Sequence, residues 1–366
     1  MSRSGDGAQE GIFVVGNKMS ITNCSVINSG YIGINFQGND VLVAQNLVDT
    51  FSNVKDDGAG IYTYNPGTTA SNRIIRKNIV LNAIGAFAGA EGHYWEAYGK
   101  AAGIYLDDRS YNTLVDGNTL ANGNWGGIFL HNCGNNQITN NFVYNFRQQM
   151  LFGVESGKIN RNFKVNGNIF VAKNAFQKTV QIDFSINDKP NLMGLFDENV
   201  YARPINDSHT FSIKRTYVGG GDESLSLAKW KSDYKQDLNS SKSKVSTTSE
   251  NNLSFYYNYT DAEVTIPLNS LYSDVTGKKY TSNIKLKAYG GIVLIKMPSD
   301  YIVQSIKSGN WADSLVWSGG QVPGSNDSVK INKGHIIKVQ QDISIRGLQV
   351  STGGELLFLG DYKVNN

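Results

Sequence analysis

The sequence predicts an all-β protein: a parallel β-helix, then a small antiparallel β-sandwich, then a further, partial β module. Three observations carry this. A unit of apolar strand, polar turn and asparagine-bearing strand recurs seven times in the first two hundred residues. Its tightest spacing, Asn23 to Asn46 and again Asn118 to Asn141, is 23 residues, and a fixed period in the low twenties with alternating apolar residues marks a solenoid. Beyond residue 250 alternating strands bounded by Gly, Pro and Asn turns return, which is a hairpin and sandwich pattern.

Taken in order, the asparagine strands are Ile21–Val26, Val43–Val48, Ile75–Val80, Leu114–Leu120, Ile138–Val143, Val165–Phe170 and Leu195–Val200. In a stacked coil equivalent residues lie roughly 4.8 Å apart, and an amide can donate to one neighbour and accept from the other. An asparagine ladder with members at Asn23, Asn46, Asn78, Asn118, Asn141, Asn168 and Asn199 follows, with Cys24 as a small core residue beside it. Coils are expected from Gly11 to Pro204, with insertions at 65–71 and 83–100. The boundaries expected are 1–204 for the β-helix, 205–250 for a linker with a short Ser-capped helix near Ser224–Trp230, 251–300 for the β-sandwich and 301–366 for the partial module.

Composition narrows the function classes. With 34 Lys+Arg against 31 Asp+Glu the net charge is +3, so neither nucleic acid nor an anionic membrane is an expected partner. Two cysteines are too few for a disulfide framework. No run reaches the length of a membrane span, and the polar start Met1–Gly7 lacks the apolar centre of a signal peptide. The 39 glycines and 19 tyrosines suit secreted β-rich proteins that handle carbohydrate. The first coil has no preceding cap and the last residues stop within a β pattern, so the sequence is expected to be a fragment of a longer secreted protein.

Stacking the first strand of each coil by its inward pairs gives Ile12/Val14, Ile34/Phe36, Ile61/Thr63, Ile104/Leu106, Ile128/Leu130, Phe152/Val154 and Val180/Ile182. Alternation then sends two columns outward: Phe13, Asn35, Tyr62, Tyr105, Phe129, Gly153, Gln181, and Val15, Gln37, Tyr64, Asp107, His131, Glu155, Asp183. Carboxylates stacked at one strand spacing repel one another, and a plain sheet face favours Thr, Val or opposite charges there. The catalytic candidates are therefore Asp107, Asp108, His131 and Glu155, with Asp183 peripheral. Glu155 sits two rungs from Asp107, roughly 9–10 Å by strand spacing, which suits a water-mediated carboxylate pair. Tyr62, Tyr64 and Tyr105 offer flat surface for sugar rings, against the alternative of ordinary aromatic pairing on a β face. Arg109 and Asp57 border the column as further substrate-binding candidates, and Asp56 and Asp57 equally suit a turn. Glu91, His93, Tyr94, Trp95 and Glu96 lie in the long insertion, where Glu91 and Trp95 are the substrate-binding candidates and Trp95 equally suits an anchor of its own loop.

The coils resemble the right-handed parallel β-helix of pectin-lyase-like carbohydrate-active proteins. The segments Asp56–Tyr62 and Gly103–Asp108 are similar to β-helix glycoside hydrolases of gut and soil Bacteroidetes type. Leu227–Trp230 and Tyr272–Tyr280, running on to Leu294, resemble the β-sandwich that often follows such helices. Gly309–Trp311 with Trp317–Gly320 resembles a module of large secreted bacterial proteins. The resemblance implies secreted, periplasmic or cell-surface work on a polysaccharide or oligosaccharide, with Asp107 and Asp108 as catalytic acids. Three functions are in play: a glycoside hydrolase, favoured; a polysaccharide lyase on uronate glycans; and a non-catalytic, adhesin-like glycan binder. The column contains no Lys or Arg to serve a lyase; Lys55, Lys100, Arg109 and Arg147 only border it. No cofactor is called for and no metal site is assigned, although acidic residues at the column can hold calcium.

Overall fold

Parallel strands that bury every second side chain need neighbours above and below, and the computed structural model supplies them. It describes residues 9–67, 72–86, 98–298, 301–318 and 320–365. The first unit is a right-handed parallel β-helix in which each complete coil has three strands rather than two. The segment read as one asparagine strand breaks at its middle: Ser20–Thr22 and Ser25–Ile27 are separate, as are Leu42–Ala44 and Leu47–Phe51. The break has a physical cause. The residue before each ladder position has a left-handed backbone, Asn23, Gln45, Lys77, Gly117, Asn140, Gly167 and Glu198 in turn, which turns the chain through a corner. Gly117 and Gly167 adopt that conformation without the steric cost a Cβ brings.

The asparagines stack at this corner as expected. Asn46, Asn78, Asn118 and Asn141 each donate through Nδ2 to the Oδ1 of the next at 2.9 Å, and Asn168 to Asn199 at 3.0 Å. Each Oδ1 also receives the backbone N–H of the preceding member. The first member differs: the backbone N–H of Cys24, not Asn23, meets Asn46 Oδ1 at 2.9 Å. Asn23 is the corner residue, and adjacent Asn and Cys make the one-residue shift invisible in the sequence. We expect Asn118→Ala to cost about 3 kcal/mol, because it leaves the buried Asn78 N–H and Asn141 amide short of partners. A urea midpoint unchanged from wild type would contradict this.

The interior column Ile34, Ile61, Ile104, Ile128, Met150, Val180 and Phe211 is fully buried and in register from rung to rung. It corrects the sixth rung. Met150 and Phe152, not Phe152 and Val154, are the inward pair opposite Ile128 and Leu130, so Leu151 and Gly153 take the outward positions. Alternating strands look the same after a two-residue slip, and Val154 supplied one apolar residue too many.

Residues 205–250 close the helix as a cap. Phe211–Arg215 stacks on Lys178–Phe184, Glu223–Leu225 returns antiparallel, and Ser241–Lys242 adds to Val200–Ala202. The helix Leu227–Tyr234, N-capped by Ser226, lays the fully buried Trp230 on Phe211 with ring centroids 3.9 Å apart. Asp237 and Ser240 finish the ladder by receiving Asn199 Nδ2 and bonding the Asn199 N–H.

The four-stranded antiparallel sheet of Leu253–Tyr257, Gly291–Lys296, Tyr272–Asp274 and Lys279–Tyr280 packs on the outer wall of the coils. Phe255 lies over Tyr144 and Phe142, and Leu253, Val293 and Ile295 join a core with Ile79, Leu81 and Val171. Val264–Pro267 with Asn283–Leu286 covers its other side, making the small sandwich. The last module is itself a short parallel solenoid. Ile302–Gln304, Ser328–Ile331 and Gly347–Val350 stack in one sheet, and Gly309–Asn310, Ile336–Val339 and Glu355–Phe358 in another. Trp311 and Trp317 pack edge to face in its core, 4.8 Å between centroids. Among the described residues no helix is long and apolar enough to cross a membrane.

Candidate functional site

Three adjacent rungs build the site. Gly58–Thr63, Ala101–Leu106 and the end of Thr119–His131 run side by side, so Tyr62, Tyr105 and Phe129 form one outward column. Gly103 lets the rungs approach: a Cβ there would lie 2.5 Å from the carbonyl oxygen of Gly127. Tyr105 stacks on Phe129 at 4.4 Å, and Trp125 packs against both. Tyr62 meets Tyr105 edge on at 5.2 Å, and Tyr64 lies 6.2 Å from Tyr62. Ala59, Ala102 and Leu151 complete this apolar patch. Tyr105 and Phe129 are themselves largely covered, so they floor the site, while the half-buried Tyr62 and Tyr64 present more surface.

Asp107 leaves the strand end at the next column position. Its two oxygens are both engaged: Oδ1 meets His131 Nδ1 at 2.7 Å and Oδ2 accepts from Tyr62 Oη at 2.7 Å. The backbone fixes it further, through Asp107 N–H to Thr63 O and Ser110 N–H to Asp107 O. Burial opposes ionisation of Asp107, but the bonds from His131, Tyr62 and the Asp108 N–H outweigh it and hold the carboxyl below 3.8. For His131 burial acts downward, and the bond and charge of Asp107 with the charges of Asp108 and Glu155 outweigh it, raising the imidazole above 6.5. Burial, then the charge of Asp107, pushes the Tyr62 hydroxyl far up, so it stays a donor.

Asp108 is held by Asn132, whose Nδ2 donates to Oδ1 at 2.7 Å. Asn132 also receives the Glu155 N–H, so one residue braces two candidates. It follows His131 directly, a signal present in the sequence but carried by an unremarkable residue type. Arg109 is exposed with a left-handed backbone and forms the turn beyond Asp108. Asp57 is exposed by surface area, yet enough protein surrounds its carboxyl that desolvation raises it above 3.8; the nearby charge of Asp107 raises it further, against Lys100 and His131.

Glu155 does not take the expected column position. Gly153 stands opposite His131, and Glu155 lies exposed in the following turn, so it is not stacked with His131 or set two rungs from Asp107 on this face. Asp183 follows Ile182, the partner of Phe152, and pairs with Lys214 on the next rung, at the far end of the column. Glu91, His93, Tyr94, Trp95 and Glu96 lie outside the described residues.

Asp107, Asp108 and His131 each offer an atom within 4.8 Å of the others. Calcium prefers six to eight oxygen ligands, and two carboxylates with an imidazole are a poor match. This donor set fits a borderline transition ion better. His131 Nδ1 would then have to exchange its bond with Asp107 for the ion.

No curated protein matches the chain. No solved structure matches it either. A family model does: residues 10–187, which hold most of the coils and every described candidate above, are similar to the right-handed β-helix region.

Proposed function

We propose that this protein is a secreted or cell-surface glycoside hydrolase that cleaves a polysaccharide on the outer face of its β-helix. The observation that carries the reading is the Asp107 carboxylate, fixed at both oxygens by Tyr62 and His131 beside an aromatic floor. Glycoside hydrolysis needs one carboxylic acid to protonate the leaving oxygen and one carboxylate to act on water. Environments that push two carboxyls apart assign those parts. Asp57, raised, is the acid; Asp107, lowered, is the carboxylate that activates water; His131 holds Asp107 in place, and Asp108, braced by Asn132, lines the water's approach. Tyr62 and Tyr64 present faces on which sugar rings can stack.

The pH dependence follows from these directions. Activity requires Asp107 ionised and is lost as pH falls through its lowered value, below 3.8. It requires Asp57 protonated and is lost as pH rises through its raised value, above 3.8. We expect a bell-shaped kcat/KM profile with an acidic optimum; a rate still climbing through neutral pH would contradict the assignment of Asp57. The reaction itself is tested on a polysaccharide panel, reading both new reducing ends and the ultraviolet absorbance of unsaturated uronates. Reducing ends alone support hydrolysis. Absorbance would mean a lyase, and silence with retained glycan binding an adhesin-like protein.

A further inference from the structure

The outward face changes chemistry as it continues past the aromatic floor. Register sets Leu151 beside Phe129 and Gln181 beside Leu151, with Gln148 beside Lys178. Gln181 is thus two rungs beyond Phe129, roughly 10 Å at the parallel strand spacing. Here the surface holds a cavity of about 490 Å³ lined by Arg147, Gln148, Lys178, Gln181 and Lys214 among others.

Several features set this cavity apart from an ordinary solvated basic face. Among the described residues none of its three cations makes an ion pair, although many other Lys and Arg side chains do. Two are held in place by other means: Arg147 lies 4.0 Å over the ring of Tyr98, and Lys178 Nζ donates to Gln181 Oε1 at 3.0 Å. Gln148 is 4% exposed; its Nε2 donates to Gln181 Oε1, while its Oε1 is buried without a hydrogen-bond partner. Buried acceptors are normally satisfied, so this one suits an incoming hydroxyl. Phe176, also in the lining, is 91% exposed, and an apolar ring there suits the C–H face of a sugar. Asp183 and Asp222 offset part of the positive charge; Asp183 accepts from Gln181 Nε2 at 2.9 Å and stands opposite Lys214 in register. Burial, Lys214 and Arg147 all lower the Lys178 ammonium, as expected where cations crowd.

We propose that this cavity is a subsite for an anionic sugar, its carboxylate or sulfate held by Arg147, Lys178 and Lys214 and a hydroxyl by Gln148. The proposal rests on the glycan-active reading above and names its substrate class: an acidic polysaccharide lying along the coils from Asp107 toward Lys214.

Binding, not turnover, tests it. The whole chain, a Lys178→Gln/Lys214→Gln variant and an Arg147→Gln variant are titrated calorimetrically with polygalacturonate and alginate oligosaccharides, a sulfated dextran oligosaccharide, and neutral cello- and laminari-oligosaccharides. Melting curves check that the variants fold, and the exposed Arg147 provides a change that the core does not feel. We expect an acidic series to bind, to weaken with salt, and to lose about tenfold or more in affinity in each variant as charge-assisted bonds are removed. Preference for carboxylate or for sulfate then identifies the anion. Neutral and acidic series binding alike, variants matching wild type, or no acidic series binding at all would overturn the proposal. Cleavage of a neutral glycan unaffected by the variants would end this inference and leave the hydrolase standing. Acidic glycan bound through these cations but never cleaved would do the reverse.

Discussion

Asp107→Asn is expected to lower kcat about a thousandfold while leaving the protein folded. A positioned base of this kind contributes roughly 10²–10⁴ in rate, and the carboxylate accepts two bonds of 2.7 Å, of which an amide keeps both only if His131 gives up its Nδ1 proton. Tyr62 Oη and His131 Nδ1 both donate to it, whereas an asparagine presents only one oxygen. Removing the charge also removes the influence that raises His131, so its imidazole titration should move down toward or below 6.5, which proton NMR reads directly. The acid stability profile should change as well. A carboxyl lowered by folding contributes stability that is present above 3.8 and lost as pH falls through its folded value, and the variant should lack that dependence. Activity within tenfold of wild type on the substrate found in the panel would remove Asp107 from the chemistry.

Trp230→Ala is expected to be among the most destabilising single changes, costing about 4–5 kcal/mol. The indole is fully buried, stacks on Phe211 at 3.9 Å and meets Phe196 edge on. Its Nε1–H donates to Asp237 Oδ2 at 2.8 Å. Asp237 also receives Asn199 Nδ2, Tyr201 Oη and Ser240 Oγ, so losing the indole leaves a buried carboxylate with one bond fewer. A solenoid passes its stability between neighbours, and an opened cap exposes the apolar interior of the last coils. Thermal melting and limited proteolysis should show the end at Val200–Ala202 opening first. A melting temperature within a degree or two of wild type would show that the cap is dispensable.

Some features were legible because they repeat. The ladder from Asn46 to Asn199 and the inward isoleucines of five rungs could be read from residue spacing, since each rung restates the same requirement. The failures are equally specific. Alternation alone sets Glu155 on the candidate column because it is unchanged by a two-residue slip, and only the pairing of His131 with Gly153 removes the ambiguity. Asn23 looks like a ladder member in the sequence because the true position is held by Cys24, whose N–H serves where its side chain does not. Residues 205–250 read as a linker because a cap occurs once and has no repeat to announce it.

The sequence by itself determined the repeating parallel coils, the outward face that carries the candidate site, and the adjacency of Asp107 and His131, because a period near that of one coil converts spacing into stacking. The tertiary structure decided what depends on contacts between segments of different kinds. These include the three-stranded coil, the cap on Trp230, the sandwich on the outer wall, the Tyr62 bond to Asp107, Asn132 bracing Asp108, and Asp57 raised by desolvation and then by the charge of Asp107. Local pattern sets which way a side chain faces; burial and the charges of neighbours, which exist only once the rungs are stacked, set what it can do there.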